Sequence, residues 1–113
     1  MAIQELNYRQ SKITGGFWKE RQNINLQNTA KAVYDRFTDS HRFEALKCQA
    51  EGHPDWKVHH FWDSDVAKWI EGVAYLLQEA PSPELYELAR AAIDDILASQ
   101  EKDTGYYNCY YAN

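Results

Sequence analysis

An all-α domain with an extended N-terminal arm is the fold class this sequence predicts, and three observations predict it. Two long segments carry apolar residues at helical spacing. A Pro-Ser-Pro break between them suits two antiparallel helices. The first sixteen residues lack a helical period and close on Gly15-Gly16. The arm, residues 1–16, holds Ile3, Leu6, Tyr8 and Ile13 without clean alternation, and leaves room for one strand around Ser11–Thr14.

From Phe17 onward a helix is expected, because Leu26, Ala30, Val33 and Phe37 recur on one face and Tyr34 widens it; the pattern ends near Thr38-Asp39. A short helix over about Ser40–Cys48 would place Phe43 and Leu46 on one side. Gly52 and Pro54 interrupt any period between Gln49 and His60, so that stretch reads as a loop. Residues 64–80 carry the strongest helical signal, with Val66, Trp69, Ile70, Val73, Ala74 and Leu77 on one stripe. Asp63 or Ser64 suits its N-cap, and Asp65 suits its first turn, where a carboxylate complements the helix dipole.

Pro81-Ser82-Pro83 stops that helix and starts another over about 83–101, with Ser82 as N-cap and Pro83 at the first position. Leu85, Leu88, Ala89, Ala92 and Ile96 form its stripe, and Ile93 and Leu97 broaden it beyond what one neighbouring helix covers. So short a connection makes an antiparallel helical hairpin. Gly105 marks the next stop, and an extended tail with Tyr106, Tyr107, Tyr110 and Tyr111 follows. Such a tail needs something to pack on, so the helices read as part of a larger helical assembly.

At 113 residues the chain fits one domain. A net charge of −5, from 12 basic and 17 acidic residues, leaves no surplus to neutralise phosphates and argues against nucleic acid as the main partner. No apolar run reaches the ~20 residues of a membrane span, and the first residues show neither a basic nor an apolar signal region. Cys48 and Cys109 make no disulfide framework, which gives a reducing, cytoplasmic setting as the expectation.

Three strings, in order, carry a resemblance: Lys12-Ile-Thr-Gly-Gly-Phe-Trp-Lys-Glu-Arg21, Phe61-Trp-Asp-Ser-Asp-Val-Ala-Lys-Trp-Ile-Glu-Gly-Val-Ala-Tyr75 and Asp103-Thr-Gly-Tyr-Tyr-Asn108. The middle one is the specific one. Together they resemble the start of the beta-L-arabinofuranosidase family, glycoside hydrolase family 127, from about Lys12 onward. The resemblance implies that residues 17–113 are the first helices of an incomplete (α/α)6 toroid. It also implies retaining hydrolysis of terminal beta-L-arabinofuranosides by the full-length protein, with a zinc-bound cysteine thiolate as nucleophile and a glutamate as acid/base. Zinc keeps a thiol deprotonated at neutral pH, and retention needs the two groups roughly 5–5.5 Å apart. The family's zinc ligands, nucleophile and glutamate match no position here. Neither Cys48 nor Cys109 inherits a role, and the chain alone is expected to be inactive, with no catalytic residue and no metal of its own.

Helix starts in a toroid line one rim of its cavity, which makes Asp63 and Asp65 candidates for sugar contact as well as for capping. Trp62 precedes the helix and offers a stacking face, whereas Trp69 falls inside the core stripe. Tyr107 and Asn108 follow a helix end and either reach the cavity rim or pack structurally beside a positive-φ Gly105. Tyr107 and Cys109 are larger than the family's usual residues there. The candidate carbohydrate contacts are therefore Trp62, Asp63, Asp65, Tyr107 and Asn108. His41, Cys48, His53, His59 and His60 match no zinc spacing, and Lys68/Glu71 and Glu87/Arg90 read as surface pairs. A competing reading is a small aromatic-rich helical interaction module, self-association through unsatisfied apolar surface being one version.

Overall fold

The computed structural model describes residues 3–50 and 53–112. Met1, Ala2, Asn113 and the Glu51-Gly52 pair, including the predicted Gly52 interruption, lie outside the described residues. A 3-10 turn (Tyr8–Gln10) is followed by α1 (Gly16–Ile24), a π-helical stretch (Asn25–Thr29), α2 (Ala30–Asp39), α3 (Arg42–Ala45), α4 (Trp62–Glu79), α5 (Pro83–Ser99) and α6 (Cys109–Ala112). The described residues form an all-α structure. No helix in it is long and apolar enough to cross a membrane.

Helices α1 and α2 form one rod, as the periodicity from Phe17 predicts, but the period breaks within it. The Ala30 N–H donates to the Asn25 carbonyl, five residues back, which is π geometry. The strand expected near Ser11–Thr14 does not form: among the described residues there is no β-strand, and 11–14 run extended and exposed with no second strand to pair them. The arm instead lies along α4, where the Tyr8 and Tyr75 rings meet edge to face at 5.3 Å.

Helix α4 is the hub, packing against α2, α3, α5 and α6. It buries Val66, Trp69 and Val73, the i, i+3 and i+7 positions of the predicted stripe, while Ala74 stays exposed. Trp69 is fixed by an Nε1–H that donates to the Ala30 carbonyl at 2.9 Å. One core cluster joins Ala30, Trp69, Val73, Leu85 and Ala89; a second joins Leu46, Val66 and Ala92, with Phe37, Phe43 and Ile70 bridging the two. Helix α5 starts as predicted, Ser82 Oγ accepting from the Leu85 N–H and Pro83 occupying the first position.

The tail corrects the expectation of an extended segment. Gly105, at φ +71°, closes a turn in which its N–H donates to the Glu101 carbonyl. Residues 109–112 then make one helical turn, capped by Asn108, whose Oδ1 accepts from the Tyr111 N–H at 3.1 Å. Cys109 is buried, whereas Tyr106, Tyr110 and Tyr111 are exposed.

Compactness is low for the chain length. The radius of gyration is 17.2 Å, against ~13 Å for a closed domain of this size. The accessible surface is 8509 Å², against about 6,400 Å² for a compact monomer of this mass. Much of the excess is apolar: Phe17, Trp18, Tyr86, Ile93 and Leu97 all stand in solvent.

Candidate functional site

The candidate residues converge on the N-terminal end of α4, but not as caps. Phe61 is the N-cap and no side chain caps the helix. Ser64 Oγ donates back to the Phe61 carbonyl at 2.9 Å, and Asp63 turns away from its own helix. Both Asp63 oxygens accept the Cys109 backbone N–H, at 3.1 and 3.3 Å. Tyr107 Oη donates to the Leu46 carbonyl at 3.1 Å. The physical reason is competition: the Trp62 N–H already donates to the His59 carbonyl, whereas the N–H of the buried Cys109 is costly to leave unpaired and takes the carboxylate. Asp63 and Tyr107 therefore tie α4 and the end of α3 to the tail, whose own helical turn Asn108 caps. Burial, and then the neighbouring Asp63, push the Tyr107 hydroxyl and the Cys109 thiol well above their ordinary values.

On the other side of the same helix end lies an open cleft of about 700 Å³, lined by Arg42, Lys57, His59, Phe61, Trp62, Ser64, Asp65 and Lys68. Arg42 organises it. Its Nε donates to Asp65 Oδ2 at 3.1 Å, its Nη1 donates to Ser40 Oγ, and its guanidinium lies 5.4 Å from the Trp62 ring centre and 5.0 Å from that of Phe37. Trp62 leans on Trp56 at 5.9 Å, and Trp56 stacks flat on His41 at 4.9 Å. The structure thus brings Trp62 and Asp65 to this cleft. It draws Asp63 and Tyr107 to the α3–tail junction and places Asn108 in the tail, capping α6.

Arg42, Lys57 and Trp56 escaped the sequence reading and Lys68 entered it only as half of a surface pair, since helical periodicity registers apolar positions. The one available signal was an aromatic, Trp56, set between Asp55 and Lys57 in an otherwise polar loop. Of the two surface pairs expected, Glu87 and Arg90 stand 3.6 Å apart, and Arg90 also approaches Asp94 at 3.7 Å, whereas among the described residues Lys68 and Glu71 do not pair and Glu71 instead accepts from Tyr75 Oη.

The zinc implied by the resemblance finds no ligand set here. Among the described residues no three His, Cys, Asp or Glu side chains converge to hold a metal. His41 pairs with Glu44 and stacks on Trp56, His59 stacks on His60, and Cys109 sits in a pocket that favours the protonated thiol. No catalytic step is derived through zinc for these residues.

Comparison with known proteins agrees with the motifs. The sequence profile of the "Beta-L-arabinofuranosidase, GH127 catalytic domain" matches residues 10–113. The non-reducing end beta-L-arabinofuranosidase of Bifidobacterium longum subsp. longum is 32% identical over 120 aligned positions, covering 88% of this chain and 18% of that protein. The chain thus spans less than a fifth of the length of the curated relative it matches.

Proposed function

This chain belongs to the GH127 beta-L-arabinofuranosidase family, and from that membership we propose that its helices are the N-terminal part of a larger glycosidase catalytic domain acting on arabinofuranoside-type carbohydrate. The observation that carries this reading is the surface of α5. Leu85, Ala89, Ala92 and Ile96 form the stripe turned to the core, and Tyr86, Ile93 and Leu97 form a second apolar stripe at i, i+7 and i+11, each at least 40% exposed. Two apolar stripes on one helix suit a position between two neighbours, as in stacked helical pairs.

On this reading the nucleophile, the acid/base glutamate and zinc belong to parts of the full-length protein that this chain does not match, and the chain alone has no turnover. Its share of the site is the cleft at the start of α4. Trp62 supplies a flat face for sugar C–H groups, and Asp65, held by Arg42, supplies acceptors for sugar hydroxyls. Asp63, Tyr107 and Asn108 keep that rim in place through the backbone groups they satisfy. The experiment is hydrogen exchange on this chain before and after fusion to the remaining segment of the Bifidobacterium relative. Strong new protection along the Tyr86–Leu97 face supports the reading, and unchanged exchange there contradicts it.

A second reading, a helical interaction module that pairs with its own copy, draws on the exposed Tyr106, Tyr110 and Tyr111 of the tail. Light scattering across a concentration series distinguishes it, because a dimer that persists at micromolar concentration supports it and a monomer refutes it.

A further inference from the structure

The charge lining the α4 cleft opposes that of the molecule. The chain carries −5 overall, yet Arg42, Lys57 and Lys68 face this one opening against a single carboxylate, Asp65, which Arg42 already neutralises. Lys57 and Lys68 have no carboxylate within ion-pair distance among the described residues, and both are exposed. His59 adds a donor: the Phe61 N–H donates to its Nδ1 at 3.3 Å, which leaves the ring proton on Nε2. Beside these cations stand Trp62, crossed by the Arg42 guanidinium, and Phe61, whose ring is more than half exposed. Flat apolar faces next to uncompensated cations match a ring with one C–H face and one carboxylate edge.

We propose that this cleft binds a carboxylated sugar, a uronate unit, with Lys57 and Lys68 on the carboxylate and Trp62 and Phe61 under the ring. The inference rests on the reading of the cleft as sugar-facing and adds the class of sugar. Its role in the whole enzyme is to engage an acidic unit adjoining the arabinofuranoside. A like-signed background favours a local positive patch for selectivity, because the acidic surface around it repels an anion that the patch attracts.

The test is calorimetric titration of the 113-residue chain at low salt with tri-galacturonate, with a neutral arabino-trisaccharide and with inorganic phosphate, repeated on K57Q/K68Q. Both lysines are exposed, so the double variant keeps its melting temperature. The expected result is tri-galacturonate binding at least tenfold tighter than the neutral sugar, weakened about tenfold by K57Q/K68Q, with phosphate a poor competitor. Equal binding of acidic and neutral sugars overturns this inference and leaves the sugar-facing cleft standing. Binding of neither sugar overturns both. Phosphate competing as well as the uronate shows a general anion site and overturns the assignment to a sugar.

Discussion

Asp63 and Cys109, 46 residues apart, are joined by a carboxylate that accepts one backbone N–H through both oxygens. This contact fastens the tail to the start of α4 and leaves the cleft on the other side of that helix end free. Charge-assisted hydrogen bonds of this kind contribute more than neutral ones, and the loss falls on a buried N–H. Asp63→Ala is therefore expected to destabilise the chain by about 1–3 kcal/mol, and Asp63→Asn by less, since one oxygen acceptor remains. Urea unfolding of the two variants checks the order; Asn as costly as Ala would contradict it.

Trp69 is the corresponding tie between α4 and the rod. Removing its Nε1–H with Trp69→Phe takes away the Ala30 carbonyl's partner from α4 and trims a ring from the core. The expected cost is about 1–3 kcal/mol, read as a drop in urea midpoint. A loss within error would mean that water reaches that carbonyl.

Alkaline pH is expected to weaken the fold through the tail. Burial raises the Cys109 thiol above its ordinary 9.0 and the Tyr107 hydroxyl above its ordinary 10.0, with Asp63 adding to both. The folded state then holds protons that the unfolded chain releases, so this stability is complete below about pH 9 and declines as pH climbs beyond it. Urea midpoints between pH 7 and 11 check the slope. Cys109→Ala should make the decline shallower, leaving Tyr107 and the Cys48 thiol, which burial also raises, to carry the rest.

Gly105 sits at φ +71°, where a side chain strains the backbone although the space beside it is open enough. Gly105→Ala should cost about 1–2 kcal/mol. A circular-dichroism melt of that variant measures it, and an unchanged melt would show that the 101–106 turn relaxes freely.

The exposed stripe of α5 separates the isolated chain from the fused protein. Leu97→Glu should change the stability of this chain by no more than about 0.5 kcal/mol, as surface substitutions do. In a fusion that covers α5 it should cost about 2 kcal/mol or more, since a charge is then buried without a partner. Equal effects in both proteins would place Leu97 outside any covered face.

Local rules made much of this fold legible. Ser82-Pro83 announces α5, Gly105 announces a turn, and Val66, Trp69 and Val73 announce the buried face of α4, each through chemistry contained within a few residues. The misreadings share one cause. Asp63 has the composition of a cap and the short-range pattern agrees, but its partner lies in the tail and only the packed chain reveals it. The π stretch at Asn25–Thr29 leaves no mark on the apolar spacing. The Ser11–Thr14 segment has strand-forming residues and no strand to join. At the cleft, Trp62 and Asp65 were visible through their place before and within a helix start, whereas Arg42, Lys57 and Lys68 come from three separate segments and meet only in the fold.

The most direct test of the account is turnover of an aryl beta-L-arabinofuranoside in the presence of zinc, measured for the 113-residue chain and for its fusion to the remaining segment of the Bifidobacterium relative. The account predicts none from the chain and hydrolysis from the fusion. Turnover by the chain alone, abolished by substituting one of its own residues, would contradict it.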